Sequence, residues 1–179
     1  MPRPTTHAYV GLGSNLGDRA GHLLLALRGM MEAGLTVARV SSVYETEPVG
    51  TPTPQPLYLN MVAELALRAH DDADDSATPL PSPEQLLARL LRIEYLLGRR
   101  RDAPLAPRTI DLDLLLYGDA LAATGYLTLP HPRLHLRRFV LAPLCELAPE
   151  LTHPKLKRTF AELLDAAPLD AGVRLWRAN

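Results

Sequence analysis

Seventeen prolines punctuate this chain of 179 residues and decide where regular structure can form. Proline fixes φ and lacks an N–H, so these residues are expected outside element interiors, in long or stiffened loops. The densest run, Glu47-Pro48-Val49-Gly50-Thr51-Pro52-Thr53-Pro54-Gln55-Pro56, reads as a rigid loop. Before it, His7–Gly13 has the character of a short buried strand that ends in a turn cluster, Gly13-Ser14-Asn15. Asp18 is placed to cap a helix with Leu23, Leu24, Leu27, Met30 and Met31 at helical spacing, closed by Gly34. Thr36–Tyr44 predicts a second strand, and Tyr58–Arg68 a third, in which Leu59, Met61, Ala63, Leu65 and Leu67 alternate with the rest.

His70–Ser82 holds four Asp and two Pro and reads as a solvated acidic insertion. It lacks the spaced oxygen ligands, mid-loop Gly and closing Glu of a calcium loop. Ser82, Pro83 and Gln85 then form a capping-box signature for a helix with stripes Leu86/Leu90/Ile93/Leu97 and Leu87/Leu91, stopping at Gly98. Ile110–Tyr117 predicts a strand, and Leu136–Leu147 and Thr159–Ala166 two further helices. The order strand, helix, strand, strand, helix, strand gives an α+β class. It predicts a ferredoxin-like βαββαβ sandwich: one antiparallel sheet with helices on one face, plus C-terminal helices.

Composition narrows the function. Nineteen Lys and Arg against twenty Asp and Glu give a net charge of −1. That balance excludes a protein built to neutralise nucleic acid or an anionic membrane. A single Cys excludes an intrachain disulfide and a thiolate zinc cluster, and Cys145 is expected as a buried small hydrophobe. No run of about 18 apolar residues suggests a membrane span, and Met1–His7 lacks the pattern of a secretory signal. A cytoplasmic protein is the expectation.

The strongest chemical signal is Arg108-Thr109-Ile110-Asp111-Leu112-Asp113. On a strand Asp111 and Asp113 share one face, with Cα atoms roughly 6.5–7 Å apart, while Leu112, Leu114 and Leu116 face the other way. Two carboxylates amid leucines need compensation, either from a divalent cation or from an ion pair with Arg108 at the strand edge. Arg99, Arg100, Arg101, Arg108, Arg137 and Arg138 surround them. Carboxylates, a hard cation and several guanidiniums are the components of a polyphosphate site, with Arg100 and Arg138 expected as solvated surface charges. Gly11-Leu12-Gly13-Ser14-Asn15-Leu16-Gly17 is too long for a dinucleotide fingerprint and lacks the Lys of a P-loop, so it reads as a tight strand-to-helix turn lining a site. His131, between Pro130 and Pro132, is either a phosphate donor or acid, or a surface-loop histidine.

Gly11–Arg19, Tyr44–Gly50, Tyr58-Leu59-Asn60, Arg92-Ile93-Glu94, Pro107–Asp113, and Pro130-His131-Pro132 with Arg137-Arg138-Phe139 occur in one order. Together they resemble the 6-hydroxymethyl-7,8-dihydropterin pyrophosphokinases of folate biosynthesis, from about His7 to Leu151. A single domain over 1–179 is expected, with a core of about 7–151 that the resemblance covers and with the acidic insertion 70–82 and a C-terminal extension 152–179 outside it. It implies transfer of diphosphate from ATP to the pterin hydroxymethyl oxygen, with AMP released. Asp111 and Asp113 then correspond to ligands of two Mg²⁺ ions. Tyr58 and Phe139 correspond to the pair that sandwiches the pterin, and Asn60, Thr46, Val49 and Asp111 to its further contacts. Glu94, Arg99, Arg101, Arg108, Leu114, Thr128, His131 and Arg137 correspond to the ATP side, with Arg99, Arg108 and Asp113 as the catalytic set. The partners implied are these two small molecules alone, on a monomer. One departure stands out: the Arg-Trp-Gly that usually precedes Pro-Arg in the mobile loop has no counterpart in Arg101–Arg108, which is one residue shorter. The readings that compete are a metal-dependent phosphohydrolase and a non-catalytic small-molecule sensor.

Overall fold

The computed structural model describes residues 5–51, 53–68, 80–101, 103, 105–168 and 172–178. Most of the acidic segment 70–82 lies outside the described residues. Six strands form one antiparallel sheet in the order β5 (Asp111–Tyr117), β1 (Thr6–Ser14), β4 (Tyr58–Leu67), β3 (Tyr44–Thr46) and β8 (Arg174–Leu175), with β2 (Val37–Val40) also paired to β4. The long members are β1 (Thr6–Ser14), β4 (Tyr58–Leu67) and β5 (Asp111–Tyr117). The chain continues from β1 into α1 (Arg19–Glu32), then β2 (Val37–Val40) and β3 (Tyr44–Thr46). α2 (Pro83–Leu96) connects β4 to β5. A small hairpin of β6 (Ala122–Ala123) and β7 (Thr128–Leu129), α3 (Arg138–Leu147), α4 (Phe160–Ala166) and β8 (Arg174–Leu175) complete the fold.

Local chemistry sets the helix ends as the sequence predicts. The Asp18 carboxylate accepts from the Gly21 N–H, and Ser82 with Gln85 forms the capping box of α2. Thr159 and Glu162 form a second box on α4. The apolar faces differ in part from expectation: in α1 the buried residues are Leu23, Ala26 and Met30, whereas Leu24 and Met31 are exposed.

Several expectations are corrected. The predicted strand Thr36–Tyr44 is two strands on the same side of β4, separated at Ser41. The buried Ser41 hydroxyl accepts from the Val62 N–H, so a side chain replaces one backbone rung and bends the chain there. Helices cover both faces of the sheet. One core cluster joins Val10, Leu12, Leu65 and Leu112 to Leu23 of α1 and Leu90 of α2. The other joins Tyr9, Val62 and Leu115 to Leu141 of α3 and Phe160 of α4. Among the described residues, both faces of the sheet are thus apolar over much of their area.

Pro143 stands inside α3, contrary to its expected exclusion from elements. The N–H it lacks would have bonded the Phe139 carbonyl, and its ring is buried. The register of β5 against β1 slips between Tyr9/Leu116 and Val10/Leu114 and leaves Leu115 unpaired with β1. This bulge turns Leu116 into the α3–α4 cluster with Leu115, away from Leu112 and Leu114. Gly11, Gly13 and Ser14 lie within β1, so the G-x-G segment is strand and not a turn. Arg138 is tied down, with its Nη1 donating to the Leu164 carbonyl at 3.0 Å and joining α3 to α4.

Candidate active site

A cleft with a volume of about 220 Å³ opens at one end of the sheet, on the face that α3 partly covers. Its floor is made by alternate residues of three strands. β1 contributes Gly11 and Gly13, β4 contributes Asn60 and Val62, and β5 contributes Asp111, Asp113 and Leu115. The absence of side chains on β1 clears this floor: a Cβ at Gly13 would meet Asn60 Oδ1 at 3.0 Å, and one at Gly11 would touch Leu115 at 3.5 Å.

Two aromatic walls stand over the floor, Tyr58 at the start of β4 and Phe139 in the first turn of α3. Each carries a guanidinium. Arg108 Cζ lies 5.7 Å from the Tyr58 ring centroid, and Arg137 Cζ lies 5.4 Å from that of Phe139. Thr46 and Val49 also line the cleft, and Asn60 Nδ2 donates to Thr46 Oγ1 at 2.7 Å.

The acids are held unequally. Asp111 accepts from Arg108 Nη1 at 2.8 Å and pairs with Arg99 Nη2 at 3.1 Å. Arg99 also donates to the Ile110 carbonyl, which fixes it at the base of β5. The nearest basic nitrogens to Asp113 are farther off, the cationic Arg137 Nη1 at 3.9 Å and the imidazole Nε2 of His131 at 4.0 Å, and 39% of its side chain stays accessible. Burial and the charge of Asp111 push its carboxyl above the usual range, against the pull of His131, Arg137 and Arg108. Burial lowers His131, whose Nδ1 accepts from the Arg133 N–H, leaving Nε2 as the proton-bearing nitrogen turned toward Asp113. The carbonyl of the bulge residue Leu115 accepts from the His131 N–H at 2.9 Å and so anchors this loop to the edge of β5.

Other predicted residues lie away from the cleft lining. Glu94 is buried in α2, accepting from the Leu112 N–H at 2.7 Å and from Arg101 Nη2 at 2.6 Å. Its burial raises its pKa. The Leu114 side chain sits in the core under α1 and α2, so only its main chain can meet a ligand. Thr128 is exposed on β7.

Comparison with known proteins places this arrangement. Residues 9–149 match the model of the 7,8-dihydro-6-hydroxymethylpterin-pyrophosphokinase (HPPK) family. The chain belongs to that family. It is 38% identical to the 2-amino-4-hydroxy-6-hydroxymethyldihydropteridine pyrophosphokinase of Bacillus subtilis, over 95% of this chain and 90% of that one. It is 39% identical to the protein of the same name from Pseudomonas aeruginosa, over 93% and 95% respectively. Among solved structures, wild-type Plasmodium falciparum HPPK-DHPS with pteroate superposes with a TM-score of 0.66 at 16% identity. The match covers 91% of this chain and 42% of that chain, so the likeness is to under half of the Plasmodium protein and bears on the fold alone.

In this pyrophosphokinase the cleft also holds residues to which the linear motifs assign no role. Arg133 lines the cleft beside Arg137, and only its place two residues after His131 hinted at that. Glu47, Thr51 and Leu105 border it as well. Asn15 and Gln55 lie behind the wall, joined to the Arg108 segment by hydrogen bonds that no linear motif displays.

Proposed function

We infer that this cleft is where the pyrophosphokinase passes diphosphate from ATP to the hydroxymethyl oxygen of 6-hydroxymethyl-7,8-dihydropterin in folate biosynthesis. The overall transfer follows from membership of the family, with ATP as co-substrate; the residue roles are our reading. The observation that carries it is the convergence of Tyr58, Phe139, Asn60, Asp111 and Asp113 on one cleft. A flat heteroaromatic gains by stacking between Tyr58 and Phe139. Asn60, with the main chain near Thr46 and Val49 and the carboxylate of Asp111, meets the polar ring edge. The hydroxymethyl oxygen attacks the β-phosphorus and gives up its proton, to the Asp113 carboxylate or to water beside it, while the bond from that phosphorus to the α,β-bridging oxygen breaks and AMP leaves with the electron pair. Such a displacement depends on positioning and charge neutralisation more than on covalent help from the protein. Arg99, Arg108 and Arg137 supply that charge, His131 adds a hydrogen-bond donor through Nε2–H, and Arg101, Thr128 and the main chain of Leu114 border the nucleotide. Glu94 acts from behind by holding Arg101 and β5.

Asp111 and Asp113 suit Mg²⁺, two ions in our reading. They present hard oxygen donors on one face, and Asp113 lacks a close cationic partner. Bound there, Mg²⁺ would neutralise the phosphate oxygens and relieve the repulsion between the two carboxylates. The strand order β5-β1-β4-β2/β3, with α1 and α2 on one face, supports the ferredoxin-like βαββαβ reading with α3 and α4 added on the other. We read 1–179 as one domain, monomeric and cytoplasmic. Among the described residues no helix is long and apolar enough to cross a membrane.

Incubation with ATP, Mg²⁺ and the reduced hydroxymethylpterin tests the assignment. AMP equal to the pterin consumed is expected, with no turnover after chelation of the metal. Inorganic phosphate without a pterin requirement would make the protein a phosphohydrolase, and binding without AMP a sensor.

A further inference from the structure

Asn15 directly follows β1 with its side chain almost wholly buried, 1% exposed, between two loops that both border the cleft. Its Oδ1 accepts from the Arg108 N–H at 2.8 Å, and its own N–H donates to the Arg108 carbonyl at 3.1 Å. On the other side its Nδ2 donates to Gln55 Oε1 at 3.1 Å and to the Pro56 carbonyl at 3.3 Å. Gln55 Nε2 in turn donates to the Leu105 carbonyl at 2.7 Å. The sense of each amide is fixed by its partners. The backbone N–H of Arg108 can only donate, so the Asn15 oxygen must face it. The carbonyl of Leu105 can only accept, so the Gln55 nitrogen must face it. Nothing in this chain of bonds can be reversed without setting like against like.

The segments so joined carry the two halves of the site. Gln55 and Pro56 belong to the proline-rich loop that holds Val49 and Thr51 and runs directly into Tyr58. Leu105–Arg108 carries the guanidinium that touches Asp111 and lies over the Tyr58 ring. We propose that Asn15 and Gln55 are positioning residues that tie the pterin-side loop to the backbone of Arg108, so that a ligand ordering one half of the cleft pre-sets the other. The proposal rests on the placement of the pterin against Tyr58 given above. Neither residue touches a reacting atom in this scheme. Their effect is a coupling between the two substrates, felt equally by each.

The test measures affinity for the reduced hydroxymethylpterin by calorimetry, with and without a saturating, inert ATP analogue and Mg²⁺, together with steady-state kcat and KM. The wild type is expected to bind the pterin about fivefold or more tightly when the analogue is present. Gln55 is only half-buried, so Gln55→Ala should fold normally and bind each ligand alone within about twofold of wild type. Its coupling should fall towards unity and its kcat about tenfold, with KM little changed. Asn15→Asp, which sets a carboxylate oxygen against the Gln55 and Pro56 oxygens, should behave likewise. In an Arg108→Ala background, Gln55→Ala should change kcat less than about twofold, because the group it places is gone. Wild-type coupling and kcat in Gln55→Ala overturn the proposal, as does an undiminished tenfold loss in the Arg108→Ala background. A wild type that binds no pterin overturns the substrate placement as well, which separates the two failures.

Discussion

Asp113 shows how one side chain's surroundings set its chemistry. Asp111 places its oxygens on Arg99 and Arg108, whereas the nearest guanidinium nitrogen to Asp113 is 3.9 Å away and the His131 imidazole 4.0 Å, and Asp113 bears the repulsion of its neighbour. Burial and that repulsion raise its pKa, a state that a hard cation would relieve. Asp113→Ala is therefore expected to abolish AMP formation while leaving pterin binding, measured with an inert ATP analogue, largely intact. Full turnover in that variant would remove Asp113 from the metal site. The pairing of these two aspartates was readable from a two-residue spacing alone, because strand geometry puts i and i+2 on one face. Their inequality was not, since it depends on Arg137 and His131 arriving from a distant loop.

At the scale of elements, a few buried polar contacts fix where the site-bearing strands begin and end. Glu94 reaches from α2 to accept the Leu112 N–H, in the middle of the Asp-Leu-Asp run, and to hold Arg101. Glu94→Ala leaves a buried donor unpaired and is expected to cost about 1–3 kcal/mol in chemical denaturation. Glu94→Gln, which keeps an acceptor for Leu112, should recover most of that loss. A kinetic defect without loss of stability in the Ala variant would instead make Glu94 a direct nucleotide contact. The starts of α1 and α2 were plain in the sequence, because Asp18 and Ser82 act on their own first turns. Strand breaks were less so. Thr36–Tyr44 looks continuous until the Ser41 hydroxyl takes a rung from Val62, and the flip of Leu116 follows from a bulge against β1. Both are settled by partners far along the chain.

Over the whole molecule, charge is distributed between the site and a second cluster. Eight arginines and five acids lie from Arg92 to Arg138, so near-neutrality overall conceals a cationic stretch around the cleft. Elsewhere on the sheet, the buried Glu64 pairs with His7 at 2.7 Å and with Arg39, and the Tyr9 hydroxyl donates to it. Burial raises the Glu64 pKa, but Arg39 and His7 outweigh it and hold the carboxyl below its ordinary 4.5. A carboxyl depressed in the folded state gives stability that is present above the unfolded value and lost as pH falls through the folded one. Glu64→Gln should thus lower stability at pH 7 by about 1–2 kcal/mol and flatten its decline below about pH 4.5, read from denaturation across pH. An unchanged acid limb would take Glu64 out of the pH response. The sequence alone determined the alternation of strands and helices, the caps, and the pair of aspartates, because each follows from side chains within a turn or two of one another. Only the tertiary structure decided that helices clothe both faces, that two glycines clear a floor for a ligand, and that Asn15 joins Gln55 to Arg108. Each of these depends on register and packing between residues tens of positions apart, where local spacing carries no information.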